Sequence, residues 1–258
     1  SGPITTMTLS MAVISIAMES VMVVMGPEAR DFLQPLIPQS LDSADFPFGT
    51  MQEVEIGYAR ARAHRVSYVG ELGWELYVPA DMAVHVYDTL MQRSADHPLM
   101  HCGLHTLDSC RIEKAFRHFG HDISSEDHII DAGLGFAARI GKQSGRFGDF
   151  IGRDSVLRRK EEGVKARMFQ FRLNDPQPLL YHNEAVMRDG EIVGHLTSGN
   201  YGHHLGGAIG MGYIPCRDGE TAQDQIASRY QVDVAGQIVD AEISIKPMYD
   251  PASERMKA

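Results

Sequence analysis

The chain has 258 residues, 43% hydrophobic and 22% charged, with a formal net charge of -10. That length holds one large domain or two modest ones with ample core, and the composition is globular rather than disordered. An acidic chain with no dense Lys/Arg block lacks the clustered positive charge of a nucleic-acid binder, so no nucleic-acid partner is expected; a local pocket for an anionic small molecule stays open.

In chain order, the apolar stretch over residues 11–18 is too short to span a bilayer, and no membrane partner is expected. Residues 20–25, Ser-Val-Met-Val-Val-Met, form the first predicted strand. Gly26-Pro27 ends it, and Pro27 suits the first position of a helix over 27–36 that buries Phe32, Leu33 and Leu36. Strands follow over 51–56 and 59–68, and 74–78 returns after a turn marked by Gly70 and Gly73. The periodicity predicts a helix over 81–93, N-capped by Asp81, with Val84, Val86, Tyr87 and Leu90 inward. Two further helices are predicted over 106–116 and 152–162, the second stopped by Gly163. Beyond it the pattern changes to short strands over 166–173, 184–188, 192–198, 208–214, 231–234 and 238–245, with Asp189-Gly190 as a hairpin signal. This spacing predicts an α+β domain over 1–163 and a small antiparallel barrel or sandwich over 164–258.

Three constellations could carry chemistry. In Tyr68-Val69-Gly70-Glu71-Leu72-Gly73-Trp74-Glu75, two glycines bracket Glu71 on a tight connection where the flat edge of a ligand could approach. An ionised carboxylate only accepts hydrogen bonds, so it suits a ligand with two adjacent N–H donors, as on a pterin or guanine edge; the competing reading is a solvated turn glutamate. In the second constellation, Arg111 and Glu113 fall on different faces of one helix and could hold separate elements in place. His118 and His121, three apart, raise the question of a metal, but no partner ligands stand at useful spacing and none is expected. The third, Gly206-Gly207-Ala208-Ile209-Gly210-Met211-Gly212, has the glycine density of a phosphate loop yet continues as strand through Pro215, so its glycines are expected to permit close strand packing. No GxGxxG stands in a βαβ context, so no flavin or nicotinamide domain is expected on this polypeptide, and no nucleophile–base pair marks a catalytic residue. The three cysteines, Cys102, Cys110 and Cys216, form no CxxC pair, which argues against a disulfide framework and for a reducing, cytoplasmic compartment.

Several of these segments, in order, resemble the family of the glycine-cleavage T-protein (aminomethyltransferase), whose fold also forms the C-terminal half of dimethylglycine and sarcosine dehydrogenases. They are Val23-Val24-Met25-Gly26-Pro27, then the Tyr68 to Glu75 signature, then Cys102-Gly103-Leu104 with Asp108-Ser109 and Arg111-Ile112-Glu113. Asp149-Phe150-Ile151-Gly152-Arg153 and Thr197-Ser198-Gly199 complete the set. Glu113-Lys114-Ala115-Phe116-Arg117-His118-Phe119-Gly120-His121-Asp122 and Lys246-Pro247-Met248-Tyr249-Asp250-Pro251 are similar to the dehydrogenase branch. Free T-proteins have an arginine before the aspartate of the helix motif, at the folate site; here that position is Leu107, which leaves the folate contact to other groups.

The resemblance implies an α+β, aminomethyltransferase-like folate-binding fold with a C-terminal antiparallel β-barrel lobe, in a three-lobed module around a tetrahydrofolate channel. It implies Glu71 as the pterin-binding glutamate, with Tyr68 and Tyr201 in the same cofactor-binding set. FAD belongs to an upstream flavin domain or subunit that oxidises an N-methyl amine, and the folate amine captures the one-carbon unit as methylenetetrahydrofolate. The family's key aspartate is expected ahead of residue 1, in a missing N-terminal part of the module, so the chain should hold part of the binding site without the catalytic group. Two alternatives stand beside this reading: a non-catalytic folate-sensing or assembly module, and an aminomethyltransferase or demethylase for another methyl donor.

Overall fold

The computed structural model describes residues 8–12, 19–138 and 150–258; most of the apolar 11–18 stretch and Asp149 of the Asp-Phe-Ile-Gly-Arg motif lie outside them. The chain divides into two compact units, Ser1–Arg111 with Ala252–Ala258, and Ile112–Pro251.

The first unit is built on a six-stranded sheet of β1 (Thr8–Ala12), β2 (Glu19–Met25), β3 (Met51–Ile56), β4 (Ala59–His64), β5 (Gly73–Pro79) and β6 (Met100–His101), in the order β3-β4-β5-β2-β1-β6. All neighbours are antiparallel except β1 and β6. Alternation along β5 sends Trp74, Leu76 and Val78 to one face, where they meet Met22 and Val24 of β2 and Val54 and Ile56 of β3. Two helices cover that face: α1 (Ala29–Leu33) with Phe32 and Leu33, and α2 (Ala83–Arg93) with Val86 and Leu90.

Three helix expectations are corrected here. Pro27 sits in the turn before α1, and residues 34–36 wind as a 3-10 turn. Asp81 caps nothing, because Ala80–Met82 form a 3-10 turn and α2 starts at Ala83. Val84 is 71% exposed. It lies two residues, about 200°, from Val86, and so on the opposite side of the helix. A further helix, α3 (Leu104–Glu113), ends before residue 116 because Ala115 takes a left-handed φ of 51°.

In the second unit α4 (Arg153–Glu162) precedes a closed antiparallel barrel. Its strands are β7 (Ala166–Leu173), β8 (Ala185–Arg188), β9 (Glu191–Gly202), β10 (Gly207–Pro215), β11 (Tyr230–Val234) and β12 (Gln237–Ser244), in the order β10-β7-β12-β11-β8-β9. Phe169, Phe171, Leu173, Val186, Leu196, Ile214 and Val232 belong to its core. Met168, Ile209 and Met211 alternate away from those residues and pack with Ile112 and Ala115. The β8–β9 hairpin turns on Asp189 (φ 54°) and Gly190 (φ 90°), two left-handed residues in a row as the type I′ turn requires. The glycines of β10 serve close packing: a Cβ at Gly210 would stand 2.8 Å from Leu196 Cδ1, and one at Gly212 2.8 Å from the His195 carbonyl oxygen. A short helix, α5 (Ala222–Ile226), opens on a Thr221/Asp224 capping box; α6 (Glu254–Lys257) belongs to the first unit. Among the described residues no helix is long and apolar enough to cross a membrane.

Candidate functional site

The segment from Tyr68 to Glu75 connects β4 to β5 within the first unit. β4 stops at His64 because the next residue turns into the core: Arg65 is buried, stands 5.7 Å from the Trp74 ring, and donates from Nη1 to the Phe46 carbonyl at 2.6 Å. Ser67 Oγ then accepts from the Gly70 N–H at 3.0 Å, and Gly70 takes φ 81°. At the other end of the connection, a Cβ on Gly73 would lie 2.4 Å from the Val24 carbonyl oxygen. The two glycines are therefore required by backbone geometry, and they fix the connection that carries Glu71.

Glu71 is largely buried, with 15% of its side chain exposed, and it faces a cation. Arg255 of α6 donates its Nε–H to both carboxylate oxygens at 3.0 Å. The carboxylate is thus held in place, with part of its acceptor capacity used. Tyr68 is half-buried on the same connection.

Glu75 is a second carboxylate of the segment, and the sequence reading gave it no weight. It sits on β5 itself, on the face opposite Trp74, with Tyr77 two residues on. The Tyr77 hydroxyl donates to Glu75 Oε2 at 2.8 Å, and Oε1 has no hydrogen-bond partner among the described residues. Burial, and then the bond to Glu75, push the Tyr77 hydroxyl up to about 12, so at neutral pH it remains a donor. His64 and Val23 flank Glu75 in register, while Arg62 stands opposite Tyr77 and pairs with Glu19. The result is a half-buried polar strip on a rigid sheet. Strand alternation was the signal that could have found it.

Tyr201 lies in the second unit, on β9, half-buried and edge-on to His203 at 5.2 Å. Tyr68 and Glu71 share one unit; Tyr201 belongs to the other. Also in the second unit, Glu113 accepts from the backbone N–H of His204 at 2.7 Å and of Leu205 at 3.1 Å, and its Oε2 lies 2.7 Å from His204 Nδ1. It thereby fastens the β9–β10 turn to the end of α3, one of the two holding roles expected of this helix; Arg111 pairs with Asp108 of its own helix at 2.9 Å. The His118 and His121 rings do meet, with centroids 4.6 Å apart. Among the described residues no group of three or more His, Cys, Asp or Glu is placed to hold a metal.

Two family models match the chain in succession, the GCVT N-terminal domain over residues 8–142 and the glycine cleavage T-protein C-terminal barrel domain over 167–250. The chain belongs to the glycine cleavage T-protein family. Among similar proteins, a 4-methylaminobutanoate oxidase (formaldehyde-forming) from Paenarthrobacter nicotinovorans is 40% identical over 91% of this chain and 27% of its own length. The mitochondrial sarcosine dehydrogenase of Mus musculus is 32% identical over 91% of the chain and 25% of its own length. An aminomethyltransferase of Halothermothrix orenii is 34% identical over 73% of the chain and 51% of its own length. The chain thus spans about a quarter of the first two relatives and half of the third. The fold matches a crystal structure of the glycine cleavage system aminomethyltransferase T from Bartonella henselae, with TM-score 0.74 at 23% identity over 89% of this chain and 59% of that one.

Proposed function

We propose that this T-protein-family chain is the folate-binding part of an N-methyl amine dehydrogenase of the dimethylglycine or sarcosine type. The observation that carries the reading is the pair of T-protein domain matches in order, in a chain whose relatives include sarcosine and dimethylglycine dehydrogenases about four times its length. Residues 1–163 would carry the pterin-facing segment and 164–258 the barrel lobe, with FAD on an upstream domain or subunit. Cys102, Cys110 and Cys216 are thiols, which is compatible with a cytoplasmic setting.

Tetrahydrofolate would supply the amine that captures the one-carbon unit. The chain's own residues would bind and orient it. The Tyr68 to Glu75 segment suits a pterin chemically, because carboxylates are acceptor-only and the pterin edge presents paired N–H donors. Glu71 and Glu75 both qualify by type, and the geometry favours Glu75: Glu71 is already engaged by Arg255, whereas Glu75 Oε1 has no protein donor among the described residues. Tyr68, on the same connection, would offer a ring and a hydroxyl to the ligand, and Tyr201 remains a separate candidate on the barrel unit.

The formaldehyde-forming oxidase among the relatives favours a second reading, in which the amine differs and the one-carbon unit leaves as formaldehyde. Product analysis separates the two. In a protein that joins these residues to their flavin domain, added tetrahydrofolate should divert the one-carbon product of sarcosine or dimethylglycine oxidation from formaldehyde to methylenetetrahydrofolate. Formaldehyde yield unchanged by saturating tetrahydrofolate would reject the proposal.

A further inference from the structure

Two guanidinium groups of the first unit stand over one ring: Arg30 of α1 lies 5.9 Å and Arg65 5.7 Å from the centroid of Trp74. Arg65 is 1% exposed. Burial, and then the charge of Arg30, lower its pKa from the ordinary guanidinium value, as expected of a cation set beside a like charge. Among the described residues neither arginine pairs with an Asp or Glu. Arg30 donates to the Leu41 carbonyl at 3.0 Å and Arg65 to the Phe46 carbonyl at 2.6 Å; their other bonds go to Ser43, Lys257 and Ala258. Desolvated cations in native proteins are normally paired, so this couple calls for an anion.

The donors converge on one atom, the Ala258 carbonyl oxygen. Arg30 Nη2 donates to it at 2.8 Å, Arg65 Nη2 at 2.5 Å, and the Ser43 hydroxyl at 3.1 Å. Arg30 Nη2 also donates to Ser43 Oγ at 3.0 Å, which fixes that hydroxyl as a donor toward Ala258. Three donors exceed the two lone pairs of a neutral carbonyl, whereas a carboxylate has about twice that acceptor capacity and the missing negative charge. The segment leading to this oxygen is held along its length. Met256 of α6 is 8% exposed, Arg255 engages Glu71, and the Lys257 carbonyl accepts from Arg65 Nη2 at 3.1 Å.

We propose that Arg30, Arg65 and Ser43 form a carboxylate receptor in the first unit, and that its occupant is a carboxylate borne by Ala258. Closing the receptor holds α6 down, and with it Arg255 on Glu71. Every group involved belongs to the first unit and the test uses no folate, so the proposal stands or falls apart from the folate reading.

The test compares the 258-residue chain, in which Ala258 bears a carboxylate, with the same chain extended by Gly-Ser-Gly, in which residue 258 offers a neutral carbonyl. Each is made with and without Arg30→Gln and unfolded in urea, followed by the emission of Trp74, the one tryptophan of the chain. Arg30→Gln should shift the unfolding equilibrium about 10-fold more in the 258-residue chain than in the extended one, the worth of a hydrogen bond to a charged group. An equal shift in both would overturn the proposal, because a neutral carbonyl would then serve as well. A second measurement needs no extension: release of Ala258 from the 258-residue chain by a carboxypeptidase, under conditions where the protein stays folded. Release requires the receptor to open, so Arg30→Gln should speed it about 10-fold. An unchanged rate in the folded variant would equally overturn the proposal, since a carboxylate that Arg30 does not hold is open to the enzyme in both proteins.

Discussion

At the residue scale, the Tyr68 to Glu75 segment, proposed to face the pterin, offers two carboxylates in different states. Glu71 is neutralised by Arg255, and Glu75 shares only a tyrosine hydroxyl. Glu75→Gln should therefore weaken tetrahydrofolate about 10- to 150-fold, the worth of a hydrogen bond to a charged acceptor. Glu71→Gln should cost less, and part of its effect should appear as a lower melting temperature through the loss of the Arg255 pair. Affinities and melts of the two variants, compared side by side, check the ranking; a larger affinity loss for Glu71→Gln would return the role to Glu71. The sequence made the segment legible, since Gly70 and Gly73 bracket a carboxylate whatever the fold. It hid Arg255, which lies 184 residues away in sequence. Glu113 gives a second residue-scale expectation. Its buried carboxylate serves three donors on His204 and Leu205, so Glu113→Ala should strand them and destabilise the chain by at least about 2 kcal/mol, read as a lower urea midpoint.

At the element scale, the close approach of β5 to β2 depends on Gly73 having no side chain. Gly73→Ala would drive a methyl group into the Val24 carbonyl and the Met25 backbone, with an expected cost of about 1–3 kcal/mol in urea denaturation. In the barrel unit, Arg188 of β8 and Glu220 form a buried ion pair. The hydrogen bond from Arg188 holds the Glu220 carboxyl below its ordinary value of 4.5, against the opposing effect of burial. A carboxyl depressed only in the folded state stabilises above its unfolded value and loses that contribution as pH falls through the folded one. The urea midpoint should accordingly drop as pH falls below about 4.5, with Glu220→Gln less stable at neutral pH and flatter in acid. An acid slope identical to that of the unmodified chain would contradict the pair's role.

Elements with strong local chemistry were readable in advance. β7 follows from the alternation of Phe169, Phe171 and Leu173 with Gln170 and Arg172, and the Asp189-Gly190 hairpin from a turn that favours left-handed residues. β6, with two residues, and α5, with five, were not, because segments so short have no periodicity; α5 betrays itself only through Thr221 and Asp224. Val84 misled for a different reason: its apolar side chain suggested burial, but residues two apart stand about 200° apart on a helix, so Val84 cannot share the buried face of Val86. β9 runs on to Gly202, past the predicted end at 198, because ladder pairing with β10 outweighs the weak strand propensity of Gly199 and Asn200.

At the scale of the whole molecule, an α+β unit followed by a closed six-stranded barrel is the order in which the two T-protein domains match the chain. The acidic net charge is no obstacle to an anionic ligand, because local donors and not the overall charge set a pocket's potential. Folate binding is the claim on which the rest of the functional account depends. It is tested most directly by calorimetric titration with tetrahydrofolate, both on the 258-residue chain and on the same residues joined to their flavin domain. The account predicts saturable, one-to-one binding in the joined protein that Glu75→Gln weakens without unfolding it; an absence of saturable binding in both proteins, with both folded, would contradict it.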